Sequence, residues 1–181
     1  MVPAMTLAER WEIAEPFEQW ISRAVTHHDL WNELWRRVTV EDVLVAGAAA
    51  LPEHWRLLVL TEDWCGDAVN ALPVIARLAD RAPERLELRC LDRDEHLELI
   101  DDHLTNGARS IPKVLMIDAS WQVRGSWGPR PAELQEWVFR EGRSLVKDER
   151  YKRIRAWYAR DKGATTLREL LAVLESAAVT R

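Results

Sequence analysis

A continuous apolar run from Arg56 to Thr61, bounded by polar residues, constrains the fold of this chain more than any other feature. A strand that is buried on both faces of a parallel sheet has this pattern. The run leads through Trp64 and Cys65 into a segment from Ala68 to Ala79 whose apolar residues have helical spacing. The pattern in the middle of the chain therefore predicts a buried strand that is followed at once by a helix, an arrangement that is typical of α/β proteins.

The segments that follow predict a mixed sheet. Their patterns favour, in order, a strand at 85–91, an acidic helix at 94–104, strands at 113–117 and 122–126, and a helix at 131–141 that starts with Pro131 in its first turn. The first two strands would run parallel through a right-handed crossover. The last two are joined by a link of hairpin length and would run antiparallel. The prediction is an α/β fold with a central mixed sheet flanked by helices.

Helices are also predicted at both ends of the chain. Helical spacing recurs at 16–38 as one or two helices, at 40–50 with Thr39 as N-cap, at 144–161 and at 164–179. We expect these helices to pack on the sheet. The predicted organisation is an N-terminal helical extension over residues 1–50, a core over 51–142 and a C-terminal helical extension over 143–181.

The composition excludes several classes of protein. The two cysteines, Cys65 and Cys90, are too few for a disulfide-rich scaffold or a four-cysteine zinc site. The formal net charge of −5 lacks the basic excess of a nucleic-acid-binding protein. No stretch approaches the ~20 apolar residues needed to cross a bilayer, and the N-terminal residues lack the pattern of a signal peptide. We therefore expect a cytoplasmic protein without a membrane or nucleic-acid partner.

Three polar segments favour solvated surface over a binding site. The run from Asp92 to His103 lacks the glycine of a calcium loop, and acids at a helix start need no metal to explain them. His27–Asp29 is interpreted as a surface turn. A basic helix with aromatic residues at 147–162 could contact nucleic acid or an acidic partner, but a docking helix with a solvated basic face also explains it. We predict no metal site and no cofactor.

Cys65 is the candidate chemical centre because it lies where the buried strand gives way to the helix. Unpaired backbone N–H groups and the helix dipole favour a thiolate there, while the negative charges of Glu62, Asp63 and Asp67 oppose it. The sequence does not decide between these effects. We expect the sulfur to face solvent because Gly66 and Asp67 cannot bury it; the alternative is an inert, buried cysteine.

Two segments resemble the thioredoxin family. Glu62 to Ala68, with Pro73 inside the following helix, is similar to the Trp-Cys-Gly-Pro-Cys motif and kinked helix of that family. Asn106 to Pro112 is similar to the family's Gly-Ile/Val-Arg-Ser/Gly-Ile/Val-Pro segment, whose proline follows a cis peptide bond and faces the active-site sulfur. The resemblance covers about Arg56 to Phe139 and implies a thioredoxin-like fold with a cis Ile111–Pro112 bond. It also implies Cys65 as nucleophile and a groove formed by Trp64, Gly66, Asp67, Ala68, Ile111 and Pro112.

The chain departs from the family's pattern at three positions. Ala68 stands where the family has its resolving cysteine, Asp67 replaces the proline between the two cysteines, and Val59 stands at the buried acidic position of the preceding strand. A dithiol cycle is therefore not available, but a single thiolate can form a mixed disulfide with a protein or low-molecular-weight disulfide. A low-molecular-weight thiol or Cys90 would then release it, although a buried sheet cysteine is the simpler interpretation of Cys90.

Two other functions fit the same residues. A non-catalytic thioredoxin-fold binding or scaffold module would keep the groove beside Pro112 and lose turnover, as the missing cysteine and acid suggest. A thiol-conjugate or peroxide-reducing variant would take Cys65 through a sulfenic acid, with Thr61 and Arg109 as candidate assisting residues. The segment from Trp127 to Pro131 follows the predicted hairpin and could shape one wall of the groove.

Overall fold

The computed structural model describes residues 5–179. At its centre is a five-stranded mixed sheet in the order β1–β3–β2–β4–β5. The strands are β1 (Glu15–Pro16), β2 (Trp55–Thr61), β3 (Leu86–Asp92), β4 (Lys113–Ile117) and β5 (Val123–Trp127). β2 runs parallel to β3, and β4 runs antiparallel to both β2 and β5. The predicted α/β fold, its parallel pair and its antiparallel hairpin are confirmed.

Nine α-helices occur within residues 5–179. They are α1 (Leu7–Ile13), α2 (Phe17–Ser22), α3 (His28–Arg37), α4 (Asp42–Ala49), α5 (Gly66–Arg81), α6 (Leu97–Asp101), α7 (Ala132–Arg140), α8 (Lys147–Asp161) and α9 (Ala164–Val179). Short 3₁₀ turns at Arg93–Glu95 and Gly142–Ser144 precede α6 and α8. No helix of this part of the chain is long and apolar enough to span a bilayer.

β2 is buried on both of its faces, which explains its unbroken apolar run. It lies between β3 and β4, and the side chains of Leu57, Leu58, Val59 and Leu60 are each 0 % exposed. The removal of this much apolar surface from water is the main force that holds the sheet together. The carboxyl end of β2 connects directly to α5, so the strand at the centre of the core also positions the candidate site.

The two faces of the sheet are covered by different helices. On the face that we call the α5 face, Val59, Val114 and Met116 pack in one apolar cluster with α5 and with helices from both ends of the chain. On the opposite face, which we call the α6 face, Leu58 and Leu60 belong to a smaller cluster with residues of α1 and α6. Alternate residues of each strand therefore enter different clusters, as the pleat requires.

Both helical ends of the chain contribute to the core on the α5 face. Trp20 of α2 and Trp31 of α3 are 1 % and 0 % exposed, and their rings meet edge to face at 5.3 Å between centroids. Leu170 of α9 is also 0 % exposed in the same cluster. The indole N–H of Trp127 in β5 donates a hydrogen bond to Glu169 of α9 at 2.9 Å. The terminal helices and the sheet thus share one core.

Several predicted boundaries are wrong by a few residues. α4 begins at Asp42 with Glu41 as N-cap, not Thr39, because Val40 is drawn into the core before the helix starts. The acidic helix predicted at 94–104 is reduced to a 3₁₀ turn and α6, since the apolar pattern lapses after Ile100. Pro131 is the N-cap of α7, outside its first turn. β1 is too short to leave a pattern in the sequence.

Candidate active site

Cys65 is held between the two segments that resemble thioredoxin. It is the N-cap of α5, with extended backbone angles of φ −77° and ψ 111°. The backbone N–H groups of Asp67 and Ala68 point at its sulfur and favour a thiolate. From the other side, the carbonyl oxygen of Ile111 accepts a hydrogen bond from Sγ at 3.4 Å, and the Ile111–Pro112 peptide bond is cis. The two segments therefore meet at the sulfur.

The thiol of Cys65 is buried, so the expectation that it faces solvent is wrong. The residue is only 7 % exposed. It belongs to the apolar cluster of the α5 face together with Ile111 and Ile154, which are distant in the sequence, and Pro129 lines the same cavity as the sulfur. Because these residues come from three separate segments, the local sequence around Cys65 could not reveal its burial.

Burial also decides the ionisation of this thiol. Burial and, to a smaller extent, the negative charge of Asp67 raise the pKa of Cys65 to about 11. The backbone N–H groups at the helix start and the positive charge of Arg130 oppose this shift but do not cancel it. The competition that the sequence leaves open is therefore decided in favour of a neutral thiol at neutral pH, which matches its hydrogen bond to the Ile111 carbonyl.

A buried ion pair lies beside the thiol. Asp67 is 5 % exposed and meets the guanidinium of Arg130 through Nε–Oδ1 and Nη2–Oδ2 contacts of 2.9 and 2.6 Å. The hydroxyl of Tyr158 donates to Oδ1 at 3.2 Å. Burial raises the pKa of Asp67 while Arg130 opposes the shift, and burial raises the pKa of Tyr158 well above its usual value. The acid that replaces the family's proline thus ties together α5, the loop before α7, and α8.

The site opens into a cavity of about 680 Å³. Trp64 is 48 % exposed and forms part of its rim. Ala68 is 0 % exposed, and Pro112 is also buried; neither is among the described residues that line the cavity. The predicted groove residues that do line it with Cys65 are Trp64, Gly66, Asp67 and Ile111.

The segment from Trp127 to Pro131 forms one wall of this cavity. Pro129 and Arg130 line it, and the Gly128–Pro129 peptide bond is cis. Gly128 has φ +115°, and a Cβ atom there would lie 2.1 Å from the carbonyl oxygen of Pro112. Only glycine permits this close approach, so the wall packs directly on the segment that faces the sulfur.

Cys90 lies inside the sheet and is not among the described residues that line the cavity. It is 1 % exposed on β3, opposite Val59 of β2, and its side chain belongs to the cluster on the α5 face. Burial raises the pKa of the Cys90 thiol far above its usual value. Both cysteines are free thiols. A resolving role for Cys90 stays a prediction.

The two residues considered for peroxide chemistry have other surroundings. Arg109 lines the cavity, but its guanidinium contacts Asp101 at 2.6 and 2.7 Å. Thr61 is 0 % exposed, and its hydroxyl has no hydrogen-bond partner within residues 5–179. In the same range, no set of three or more His, Cys, Asp or Glu side chains is placed to hold a metal ion. The surroundings of Arg109 and Thr61 therefore give no specific support to sulfenic-acid chemistry at Cys65.

Four further residues of the site lie in two segments that the sequence singles out, a candidate groove wall and a basic helix, but the sequence does not predict that they meet beside Cys65. Arg130, Tyr158, Lys147 and Arg155 all follow the predicted core motifs, and three of them belong to α8. A signal was present, because Asp67 follows a strand that is predicted to be buried, and a carboxylate that is withdrawn from water needs a cation or hydrogen-bond donors beside it. With 25 lysines and arginines in the chain, that signal could not identify Arg130.

Comparison with known proteins identifies the family. A family profile described as Thioredoxin matches residues 14–152. No curated protein matches the chain. A protein of unknown function from Pseudomonas aeruginosa has 21 % sequence identity and a TM-score of 0.75, with 96 % of this chain and 99 % of that chain covered. An HIV epitope scaffold has 19 % identity and a TM-score of 0.71, with 95 % and 99 % covered. The two structures share the fold, and since the profile spans most of the sequence, the chain belongs to the thioredoxin family.

Proposed function

We propose that this protein carries out thiol–disulfide exchange by a monothiol mechanism with Cys65 as its nucleophile. One observation carries the proposal: the sulfur lies at a cavity of about 680 Å³, with two backbone N–H groups of the α5 start directed at it. These N–H groups stabilise the sulfur anion that forms when the thiol ionises and again when a mixed disulfide is cleaved.

The proposed reaction has two steps. The Cys65 thiol loses its proton to solvent, and the thiolate attacks one sulfur of a substrate disulfide. A new S–S bond forms, the substrate S–S bond breaks, and the departing half leaves as a thiolate. Cys65 is thereby oxidised and the departing half is reduced. A second thiol from solution then attacks, as its thiolate, the substrate sulfur of the mixed disulfide. A new S–S bond joins these two sulfurs, the bond to Sγ breaks, and Cys65 leaves as a thiolate that takes a proton from solvent.

Release by a thiol from solution is supported by the surroundings of the sulfur. Ala68 offers no thiol where the family has its resolving cysteine. Cys90 is 1 % exposed within the sheet, so an external thiol that enters the cavity has the more direct access to the mixed disulfide. The groove between Trp64 and Ile111 is where both halves of the substrate would lie.

The raised pKa of Cys65 determines the pH dependence of this reaction. With a pKa of about 11, only about one molecule in ten thousand carries the thiolate at pH 7. The exchange rate should therefore rise about tenfold for each unit of pH through the neutral range. A thiolate of high pKa is also a stronger nucleophile, which offsets part of its scarcity.

A second candidate is a thioredoxin-fold binding module without turnover. The observation in its favour is that the Cys65 thiol is neutral and buried while Ala68 is 0 % exposed beside it. In this case the cavity would bind a ligand or partner, and the sulfur would act as a small apolar side chain.

The test follows Cys65 in a Cys90→Ala background. We expect its alkylation rate to rise steadily between pH 7 and pH 10 without a plateau, as a pKa of about 11 requires. Mass spectrometry after incubation with a low-molecular-weight disulfide should detect one mixed disulfide per chain, which an added thiol releases. A Cys65→Ser variant in the same background is the control and should form no adduct.

The outcomes separate the two functions. A releasable mixed disulfide on Cys65 supports exchange. Alkylation without any mixed disulfide supports the binding module. An alkylation rate that levels off between about pH 9 and pH 10 would contradict the account of the buried thiol, since an exposed cysteine titrates at a pKa of about 8.5 and is almost fully ionised about one unit above it.

A further inference from the structure

We propose that the cavity beside Cys65 takes a low-molecular-weight disulfide that bears carboxylates, and that Lys147 and Arg155 of α8 recognise those carboxylates. The inference rests on the exchange reaction proposed above and names the substrate class for it. It comes from the charge of the cavity lining, which differs from the charge of the rest of the molecule.

The cavity is cationic although the chain is acidic. The formal net charge of the chain is −5. A cleft lined by charges of one sign concentrates ligands of the opposite sign and raises their association rate. The charged side chains that line this cavity are the carboxylate of Asp67 and the cations of Arg93, Arg109, Arg130, Lys147 and Arg155.

Two of these cations are available to a ligand. Lys147 and Arg155 are exposed and have no ion pair within residues 5–179. The other three already have carboxylate partners, in the pairs Arg93–Asp94 at 2.7 Å, Arg109–Asp101 at 2.6 Å and Arg130–Asp67 at 2.6 Å. The unpaired positive charge of the cavity therefore lies on α8.

The two available cations are spaced along one side of α8. Lys147, Tyr151 and Arg155 are four residues apart in turn, so they follow one another on the same side of the helix, and all three line the cavity. A rise of 1.5 Å per residue separates Lys147 from Arg155 by about 12 Å along the helix axis. A disulfide with one carboxylate on each half matches two separated cations better than a single compact anion does.

The position of the sulfur favours a small substrate. Cys65 is 7 % exposed, so it is reached through the cavity and not from the molecular surface. The cavity volume of about 680 Å³ lies within the range of small-molecule sites. A compact disulfide can enter it whole, whereas a disulfide on a folded protein would have to protrude far enough to reach a sulfur that is itself 7 % exposed.

The chemistry of such a substrate balances as in the exchange described above. The Cys65 proton goes to solvent, one half of the substrate becomes joined to Sγ, and the other half leaves as a thiolate that still carries its carboxylate. Recognition by α8 needs no further oxidant or reductant.

The test compares three disulfides of different charge on the Cys90→Ala protein: dianionic dithiobis(nitrobenzoate), neutral dithiodipyridine and dicationic cystamine. We expect Lys147→Ala combined with Arg155→Ala to lower the rate constant for the dianion about tenfold. The rate constant for the neutral disulfide should not change, and that for cystamine should rise. Lys152→Ala is the matched control, because Lys152 is an exposed cation of α8 outside the described cavity lining.

The result that overturns the inference is an equal effect of the double substitution on all three disulfides. If Cys65 reacts with none of them, the proposed exchange fails, and charge recognition is tested separately by calorimetric titration of a Cys65→Ser, Cys90→Ala protein with dithiobis(nitrobenzoate). Binding that the Lys147→Ala and Arg155→Ala substitutions weaken would sustain the anion site. Absence of binding, or binding that they leave unchanged, would overturn it.

Discussion

The two faces of the sheet each bury one charged side chain of an ion pair, Asp67 on one face and Arg10 on the other, but they surround it differently. Beside the site, both side chains of the Asp67–Arg130 pair are largely withdrawn from water, at 7 % and 20 % exposure. On the α6 side, Arg10 is 3 % exposed, but its partner Glu98 is 59 % exposed, and its other contacts are the Nδ1 atom of His96 at 2.8 Å and the carbonyl oxygen of Met5 at 3.3 Å. The largely buried pair beside the thiol places two opposite charges close enough to shift the pKa of Cys65. The half-solvated pair attaches α1 to the segment around α6.

The largest expected effect is the loss of stability on Arg130→Met. This substitution leaves the carboxylate of Asp67 buried without its cation, and breaking a buried pair in this way costs about 3–5 kcal/mol. Urea unfolding measures the loss. The control is Arg140→Ala, whose ion pair with Glu136 is between side chains 74 % and 65 % exposed and contributes about 0.5 kcal/mol or less. If the two variants lose similar amounts, the contrast between buried and solvated pairs fails.

Arg10→Met should cost less, about 2 kcal/mol, although Arg10 is the more deeply buried arginine. Its loss returns Glu98 to water and leaves only the His96 nitrogen and the carbonyl of Met5 without their donor. The same urea titration gives the value. A loss greater than that of Arg130→Met would reverse the comparison and show that the anchor of α1 is the stronger of the two.

Asp67→Asn tests whether the ion pair beside the site affects the ionisation of the Cys65 thiol. Removing this negative charge should lower the pKa of Cys65, so the alkylation rate at pH 7 should rise about tenfold if the pKa falls by one unit. Burial, the larger cause of the shift, remains. Glu62→Gln is the matched control: Glu62 is also acidic and close in sequence, but it is not among the charges that shift Cys65. A rate that rises equally in both variants would contradict a specific role for Asp67.

The smallest effect concerns the pH dependence of stability on the α6 side. Burial and the charge of Arg10 lower the pKa of His96 below 6.5. Well above pH 6.5 the histidine is neutral in both states. As the pH falls through 6.5 the unfolded chain binds a proton before the folded chain does, so the free energy of unfolding decreases. Comparison of wild type with His96→Gln between pH 7 and pH 5 isolates this contribution. If the free energy of unfolding changes with pH by the same amount in both proteins, His96 does not contribute to the pH dependence.

The hydrophobic pattern predicted the sheet well where burial alone decides structure. Leu57 to Leu60 are four consecutive apolar residues. A strand with one solvated face would alternate apolar and polar residues, so this run predicts a central strand that is buried on both faces. The bounds of β4 and α9 also agree with their patterns, because each is a regular element with a full apolar stripe. β1, with two residues held against β3, depends on pairing that no periodicity records.

The candidate site was only partly predictable. The place of Cys65 at the junction of a strand and a helix follows from local sequence, and the match to the Ile111–Pro112 segment follows from the family's pattern. The burial of the thiol does not, because the apolar cluster that contains it includes residues distant in the sequence, such as Ile154 of α8. The partner of Asp67 is likewise 63 residues away in the chain. Local sequence patterns predict the position of a residue within its helix or strand, while the surroundings of its side chain depend on residues that are distant in the sequence.

The close approach of Gly128 to Pro112 has a consequence for how this protein tolerates mutation. A Cβ atom at position 128 would lie 2.1 Å from a backbone oxygen, so every other amino acid forces the two loops apart. The sulfur of Cys65 has no such role in folding, and a serine would fit its place. In a library selected only for folded protein, position 128 should stay glycine while position 65 varies; in a library selected for activity, both should be restricted. The difference between the two libraries would separate residues that build the cavity from residues that use it.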